Sequence, residues 1–253
     1  MAAFIELRIF RFFWAVGRFG AFLADTTRSL RDVGIWLPLT VSQMRKIGVQ
    51  SVPIALFIAT FTGMVLALLS SYIFTGAAPI YFVGTLVGKA VFMELAPVLT
   101  GLALAGRVGA NIAAELGTMR VTEQVDALET LAYNPHSYLV VPRVIAATAM
   151  FPVVVALAMA MGVTAGWFTA INLLELSTQE FVKGLRVFYE FKDIWFGLVK
   201  AASFGFAIAA IGCQKGLRTS GGAEGVGRET TSAVVLSAEM ILVLDAFWAV
   251  VLL

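Results

Sequence analysis

The chain has 253 residues, of which 60% are hydrophobic and only 13% charged, with a net charge of +2 at pH 7. An ordinary soluble domain is about 25% charged and 45–50% apolar, and a water-soluble fold of this size cannot hide so large an apolar excess. The composition excludes a soluble enzyme, a disordered chain and a disulfide-stapled secreted scaffold, and it identifies an integral membrane protein.

Residues 1–46 come first in chain order. Arg8, Arg11 and Arg18 share one stripe at helical spacing, with Phe10, Phe12, Phe13, Trp14, Phe19 and Phe22 around the rest. That pattern predicts an amphipathic helix lying in the headgroup layer. The segment lacks the short apolar core and small-residue cleavage site of a signal peptide. Glu6, Asp25 and Asp32 interrupt any transit-peptide pattern, which favours a bacterial source.

The remainder, 47–253, reads as one transmembrane domain of five apolar spans. No charge occurs between Ile47 and Gly88, which accommodates a first helix at Val52–Phe74 and an outer turn containing Gly76, Pro79 and Gly84. A spanning helix needs about 20 apolar residues. The second span is predicted at 86–113, with Lys89, Glu94 and Arg107 inside it; the third is the charge-free run 144–174. The fourth, 194–213, contains Lys200, and the fifth, 232–253, contains Glu239 and Asp245. Five spans put the chain ends on opposite sides. Lysine and arginine concentrate before span one, between spans two and three, and between spans four and five, so those segments are expected in the cytosol and the C-terminus on the outer side, the periplasm if the source is a bacterium with two membranes.

Two kinds of residue stand out inside the spans. Gly101, Ala105, Gly109, Ala113 and Gly117 recur every fourth position, as do Ala201, Gly205 and Ala209, and Gly162 pairs with Gly166. Such stripes let helices approach closely in lipid, within one chain or across a dimer. The second kind is charge. At 1.5 Å per residue, Glu94, Lys200 and Asp245 all fall about 9–12 Å below the outer face. Charges at depth face a partner or a polar cavity, which leaves two readings: an ion pair stapling the bundle, or a patch lining a substrate cavity. Arg107 and Asn111, nearer the cytosolic end, are expected to snorkel to headgroups. His136 is the only histidine, so a multi-histidine metal site is excluded, and it reads as a loop residue at the interface.

The cytosolic connections complete the pattern. Residues 115–131 predict one amphipathic helix of about four turns, in which Met119, Val125, Leu128 and Leu131 alternate with Arg120, Glu123, Gln124, Asp126 and Glu129. Its acidic excess suits a protein groove better than anionic lipid. The glycine-rich connection 215–231 and the run Gly84–Ala90 both fail as phosphate-binding loops, for want of a preceding strand or a Gly-Lys-Ser/Thr ending. No cofactor site is predicted, and any ATP must be bound by another subunit.

Several of these runs resemble the MlaE-type permeases of MCE-associated ABC transporters. They are Glu94-Leu-Ala-Pro97, Ala105-Gly-Arg-Val-Gly109, Ala114 through Leu128, Tyr133-Asn-Pro135, Pro142-Arg143, Gly225 through Thr231 with Ala233-Val-Val235, and Leu244-Asp245. The resemblance covers about Gln43 to the C-terminus. It implies an all-α fold with an N-terminal interfacial helix, five transmembrane helices and a cytosolic coupling helix. It also implies a homodimeric permease of the bacterial inner membrane, which moves phospholipid between that membrane and a periplasmic MCE protein and so bears on outer-membrane lipid asymmetry. The implied partners are two cytosolic ATPase subunits and often a small STAS-domain protein, with no nucleic acid. By the same resemblance Glu94, Lys200 and Asp245 are cavity residues, and Met119, Arg120, Glu123, Gln124 and Asp126 lie on the coupling helix. Many members carry arginine where this chain has Met93. The rival reading, from the residues alone, is a self-contained proton-coupled transporter with Glu94, Lys200 and Asp245 as its relay.

Overall fold

The computed structural model describes residues 2–74 and 79–252, and among them the regular structure is helical throughout. Five helical stretches are long and apolar enough to cross a membrane: Val33–Ile73, Phe82–Val121, His136–Leu173, Phe191–Leu217 and Gly222–Leu252. The predicted spans match these stretches one for one: the second and fourth fall wholly inside, and the first and third end one residue beyond, at Phe74 and Leu174. The last residue of the fifth lies outside the described ones, while every stretch starts before its predicted span. The cause is that helix geometry continues wherever backbone bonds can be satisfied, whereas the prediction stopped at the edge of the apolar run.

The N-terminal segment is two helices rather than one. α1 (Ala2–Ser29) and α2 (Val33–Ile47) are separated at 30–32, and a short 3-10 turn at Val49–Ser51 carries α2 into α3 (Val52–Phe74). The side chains of Arg8, Arg11, Phe10, Phe12 and Phe13 lie outside the described ones, and so does Gly76. The Arg18 guanidinium sits 3.3 Å from the centre of the Trp14 ring, a cation–π contact. Further along, α1 docks on protein: Phe22, Thr26 and Ser29 are buried. Thr26 meets His136 at 3.3 Å, and Asn134 donates to the Ser29 hydroxyl at 3.0 Å. His136 therefore sits against α1, packed on Phe22, rather than in an open interfacial loop.

The second stretch joins α4 (Phe82–Ala90), α5 (Ala96–Leu104) and α6 (Ala110–Val121) through two π turns, at Val91–Leu95 and Ala105–Gly109. Pro97 has no N–H to give Met93, and its ring presses on that carbonyl. The helix widens over those residues. A third π turn, His136–Val140, precedes Pro142 in the same way and leads into α8 (Val141–Leu173). Pro152 interrupts α8 without one.

The connections hold the largest departures from prediction. Gly84, expected in a turn, lies in α4, where a Cβ would come within 2.3 Å of the Phe181 carbonyl oxygen; Gly184 approaches Tyr81 as closely. These glycines let α4 cross α9 (Thr178–Val187), a helix between spans three and four that apolar counting did not register. The span 115–131 is not one helix. α6 ends at Val121, Glu123 takes a left-handed φ of 61°, and α7 (Gln124–Thr130) leaves at a corner. Thr122 helps to stop α6 by turning its hydroxyl back to the Thr118 carbonyl. The glycine-rich connection is also mostly helical: α10 (Phe191–Leu217) and α11 (Gly222–Leu252) are separated by 218–221 alone.

Packing answers the question left by the small-residue stripes. Gly101 faces Phe204 and Ile241, Gly109 faces Ile208 and Ser237, and Gly117 faces Thr219, so this stripe seats α10 and α11 of the same chain. At Gly63 a Cβ would lie 2.0 Å from the Gly162 carbonyl oxygen, which brings the α3 and α8 backbones into contact. α11 is the least enclosed span. Only Gly225, Ala233, Ser237 and Ile241 of it are buried, and Val235, Leu236, Met240, Val243, Phe247 and Val250 are exposed.

Candidate functional site

Glu94, Lys200 and Asp245 come from three separate stretches and meet. The π turn after α4 presents Glu94, α10 presents Lys200 and α11 presents Asp245. The Lys200 side chain is wholly buried; its ammonium pairs with the Glu94 carboxylate and lies 2.7 Å from Asp245 Oδ1. The Phe196 ring centre is 4.3 Å from the same nitrogen. One ammonium between two carboxylates leaves a net charge of −1. The three groups are not equally sheltered: Glu94 keeps 47% of its side-chain exposure and Asp245 17%. The cluster thus has a fixed, buried cation and one carboxylate that reaches out of the bundle.

Polar contacts that the sequence reading missed brace this layer. Trp248 donates to the Ser203 hydroxyl at 3.0 Å, and that hydroxyl donates to the Lys200 carbonyl at 2.7 Å. α10 and α11 are thereby tied one turn beyond the lysine. Lys89 lies 3.7 Å from Asp193, which is buried at the start of α10. The signal for the ion pair was Asp193, the acidic residue directly before the fourth apolar run, opposite the Lys89 of the second; the Trp248–Ser203 bond has no counterpart in the charge pattern.

A second polar cluster occupies the end of the bundle that carries α7. Glu115 accepts from Arg143 at 3.1 Å and faces Lys46 at 3.5 Å. Arg143 is buried and also donates to the Leu139 carbonyl at 2.7 Å. Arg107 does not snorkel outward as expected: the π turn at Ala105–Gly109 directs it into the bundle, where it donates to the Ser51 hydroxyl. Asn111 is exposed and borders the same open cleft of about 260 Å³.

The predicted coupling residues lie around the α6–α7 corner. Glu123 and Gln124 are exposed at its tip, and the Gln124 amide donates to Thr122 at 3.1 Å. Arg120 and Asp126 pair across the bend, and Met119 is half-buried against the core. Val125, buried, anchors α7 to the bundle. The result is a short knob with acidic and amide groups outward. Among the described residues no group of three metal-ligating side chains occurs.

Comparison with known proteins adds the ancestry. The MlaE permease family model matches residues 40–251. A probable ABC transporter permease protein of Rickettsia felis is 42% identical over 236 residues, covering 93% of this chain and 91% of the relative. One of the same description from Synechocystis is 42% identical over 210 residues, covering 82% and 79%. The chloroplastic protein TRIGALACTOSYLDIACYLGLYCEROL 1 of Arabidopsis thaliana is 34% identical over 206 residues, covering 81% of this chain and 59% of that one.

Proposed function

The chain belongs to the MlaE permease family and is the membrane-spanning subunit of an ABC transporter; from that premise we propose that it moves phospholipid, driven by a separate ATPase. The observation that carries the reading is the half-exposed Glu94 held beside a buried Lys200–Asp245 pair. A carboxylate anchored in this way offers a headgroup a fixed polar contact at membrane depth, while the apolar helix faces around it accept acyl chains. The Arabidopsis relative is itself named for a diacylglycerol glycolipid, which supports a lipid substrate.

The proposed working unit is a homodimer. Leu236, Met240, Val243, Phe247 and Val250 of α11 repeat at alternating steps of four and three residues and are all exposed. That spacing suits a helix seam with a second copy. Glu239 lies on the same face, and a lone carboxylate turned to lipid would cost several kcal/mol, so the face fits better against a cavity shared by two copies. In this reading the α7 end is cytosolic, the α6–α7 knob sits in the ATPase groove, and closure of the ATPase pair narrows the cavity. Lipid then passes to or from a periplasmic MCE protein, with a STAS-domain protein as a further partner. The family assignment favours this over a self-contained proton-coupled transporter.

Two measurements test it. Glu94→Ala should lower the phospholipid co-purified with the transporter and slow its transfer; unchanged lipid content and transfer would leave Glu94 a structural residue. Replacing Glu123 and Gln124 by alanine should uncouple ATP hydrolysis from transfer with the bundle still folded. Normal cross-linking to the ATPase and normal coupling in that variant would overturn the docking assignment.

A further inference from the structure

The cleft beside Arg107 is absorbed by neither the Lys200 cluster nor the knob. Gln43, Lys46, Gln50, Arg107, Asn111 and Glu115 supply its polar wall, with Ile47, Val108 and Ile112 beneath. Among the described residues, the guanidinium has no carboxylate within ion-pair distance; its one hydrogen bond goes through Nη1 to the Ser51 hydroxyl. Arg107 lies inside the predicted second span 86–113, six residues from its cytosolic end, about 9 Å along the helix at 1.5 Å per residue. A half-buried cation inside the span, held only by a hydroxyl, is costly without a counter-charge. The surroundings make the deficit larger: Arg107, Lys46 and Arg143 are cations, and Glu115 alone opposes them. The cluster therefore carries a surplus of two positive charges around a cleft of about 260 Å³.

We infer that this cleft is an anion-binding site for a phosphate group, with Arg107 as its central donor and Asn111, Gln43, Gln50 and Lys46 around it. Guanidinium has five N–H donors in a planar fork that matches phosphate oxygens in pairs, and the Ser51 contact engages only one of its nitrogens. The three amides add neutral donors that fix orientation. The volume holds a phosphate with a few waters, each of which takes about 30 Å³. The cleft shares Lys46, Gln50, Asn111 and Glu115 with a wider groove that reaches Thr118, Met119 and Gln124, so the anion enters beside the knob. The phosphate comes either from a phospholipid headgroup or from solution. The site is separate from the Lys200 cluster and does not rest on the lipid-transfer reading.

The test uses the purified full-length permease with two probes: radiolabelled inorganic phosphate in equilibrium dialysis, and fluorescent phosphatidylglycerol in phosphatidylcholine nanodiscs. At least one probe should bind with an affinity that Arg107→Gln lowers about tenfold or more, the loss of roughly one charge-assisted contact. Lys183→Gln, on α9, should leave it unchanged. Binding of phosphate in dialysis assigns the site to the free anion; binding of phosphatidylglycerol alone assigns it to a headgroup. Asn111→Leu, at an exposed position, retains the guanidinium and its Ser51 bond and should weaken the same probe several-fold, so it decides the matter if Arg107→Gln misfolds. The inference is overturned if neither probe binds, or if binding is indifferent to both cleft variants.

Discussion

The two polar layers of this bundle are built on opposite plans. Around Lys200 a wholly buried cation is shared by two carboxylates, so the layer is overcompensated and its surplus charge is negative. Around Glu115 one carboxylate serves Arg143 and Lys46 while Arg107 stands nearby with only a hydroxyl, so the surplus there is positive. In each layer a π turn supplies one of the charged residues: Glu94 in the first and Arg107 in the second. A widened turn re-aims a side chain without ending the helix, which is why such turns recur at functional positions. The contrast separates two functions of charge in a membrane bundle, one locking helices together and one left unsatisfied for something to fill.

The largest expected effect tests the locked layer. Lys200→Met removes the cation and leaves Glu94 and Asp245 facing each other, which should destabilise the fold by about 3–5 kcal/mol, read as a fall in the thermal unfolding midpoint in detergent. Lys200→Met combined with Asp245→Leu should recover part of that loss, because the more buried of the two uncompensated carboxylates is removed and only the half-exposed Glu94 remains. A single variant as stable as the parent would erase the distinction between the layers. The second layer should be more forgiving: Glu115→Gln leaves Arg143 its bond to the Leu139 carbonyl and should cost about 1–2 kcal/mol.

Smaller effects sharpen the comparison at the knob and at the opposite end. Glu123 sits at φ 61°, a region that costs side-chain-bearing residues about 1–2 kcal/mol and is worst for β-branched ones. Glu123→Gly should therefore hold the corner while removing the carboxylate, and Glu123→Val should loosen α7, seen as faster amide exchange over 124–130. The smallest effect lies on α9. The Ser177 hydroxyl and amide hold the Glu180 carboxyl below its usual range. This lowered pKa makes the contribution of the capping box fully present above the ordinary glutamate value of about 4.3, and it is lost as pH falls through the lower folded value. Amide exchange in the first turn of α9 should rise over that acid window and stay flat in Ser177→Ala.

Much of the fold was legible because lipid imposes a simple rule: long charge-free runs must be helices that satisfy their own backbone. The layer of Glu94, Lys200 and Asp245 was legible too, since depth follows from counting residues along a rise of fixed size. Direction was harder. Counting put Arg107 near a headgroup, but its aim depends on a π turn and on Ser51, which is 56 residues away in the chain. The prolines at 97 and 142 were visible signals of widened turns, although Pro152 carries the same signal without the consequence. The amphipathic period runs straight through 115–131, and only the backbone at Thr122 and Glu123 breaks it.

Composition and spacing by themselves determined that this is a multi-pass helical protein, where its spans lie, and that three opposed charges share one depth, because these follow from hydrophobic length and helical rise. Tertiary structure alone decided which charges touch, which remain unsatisfied and which faces stay open. Those outcomes depend on helix rotation and crossing, and these are set where backbones meet at glycines distant in sequence, such as Gly63 with Gly162 and Gly84 with Phe181.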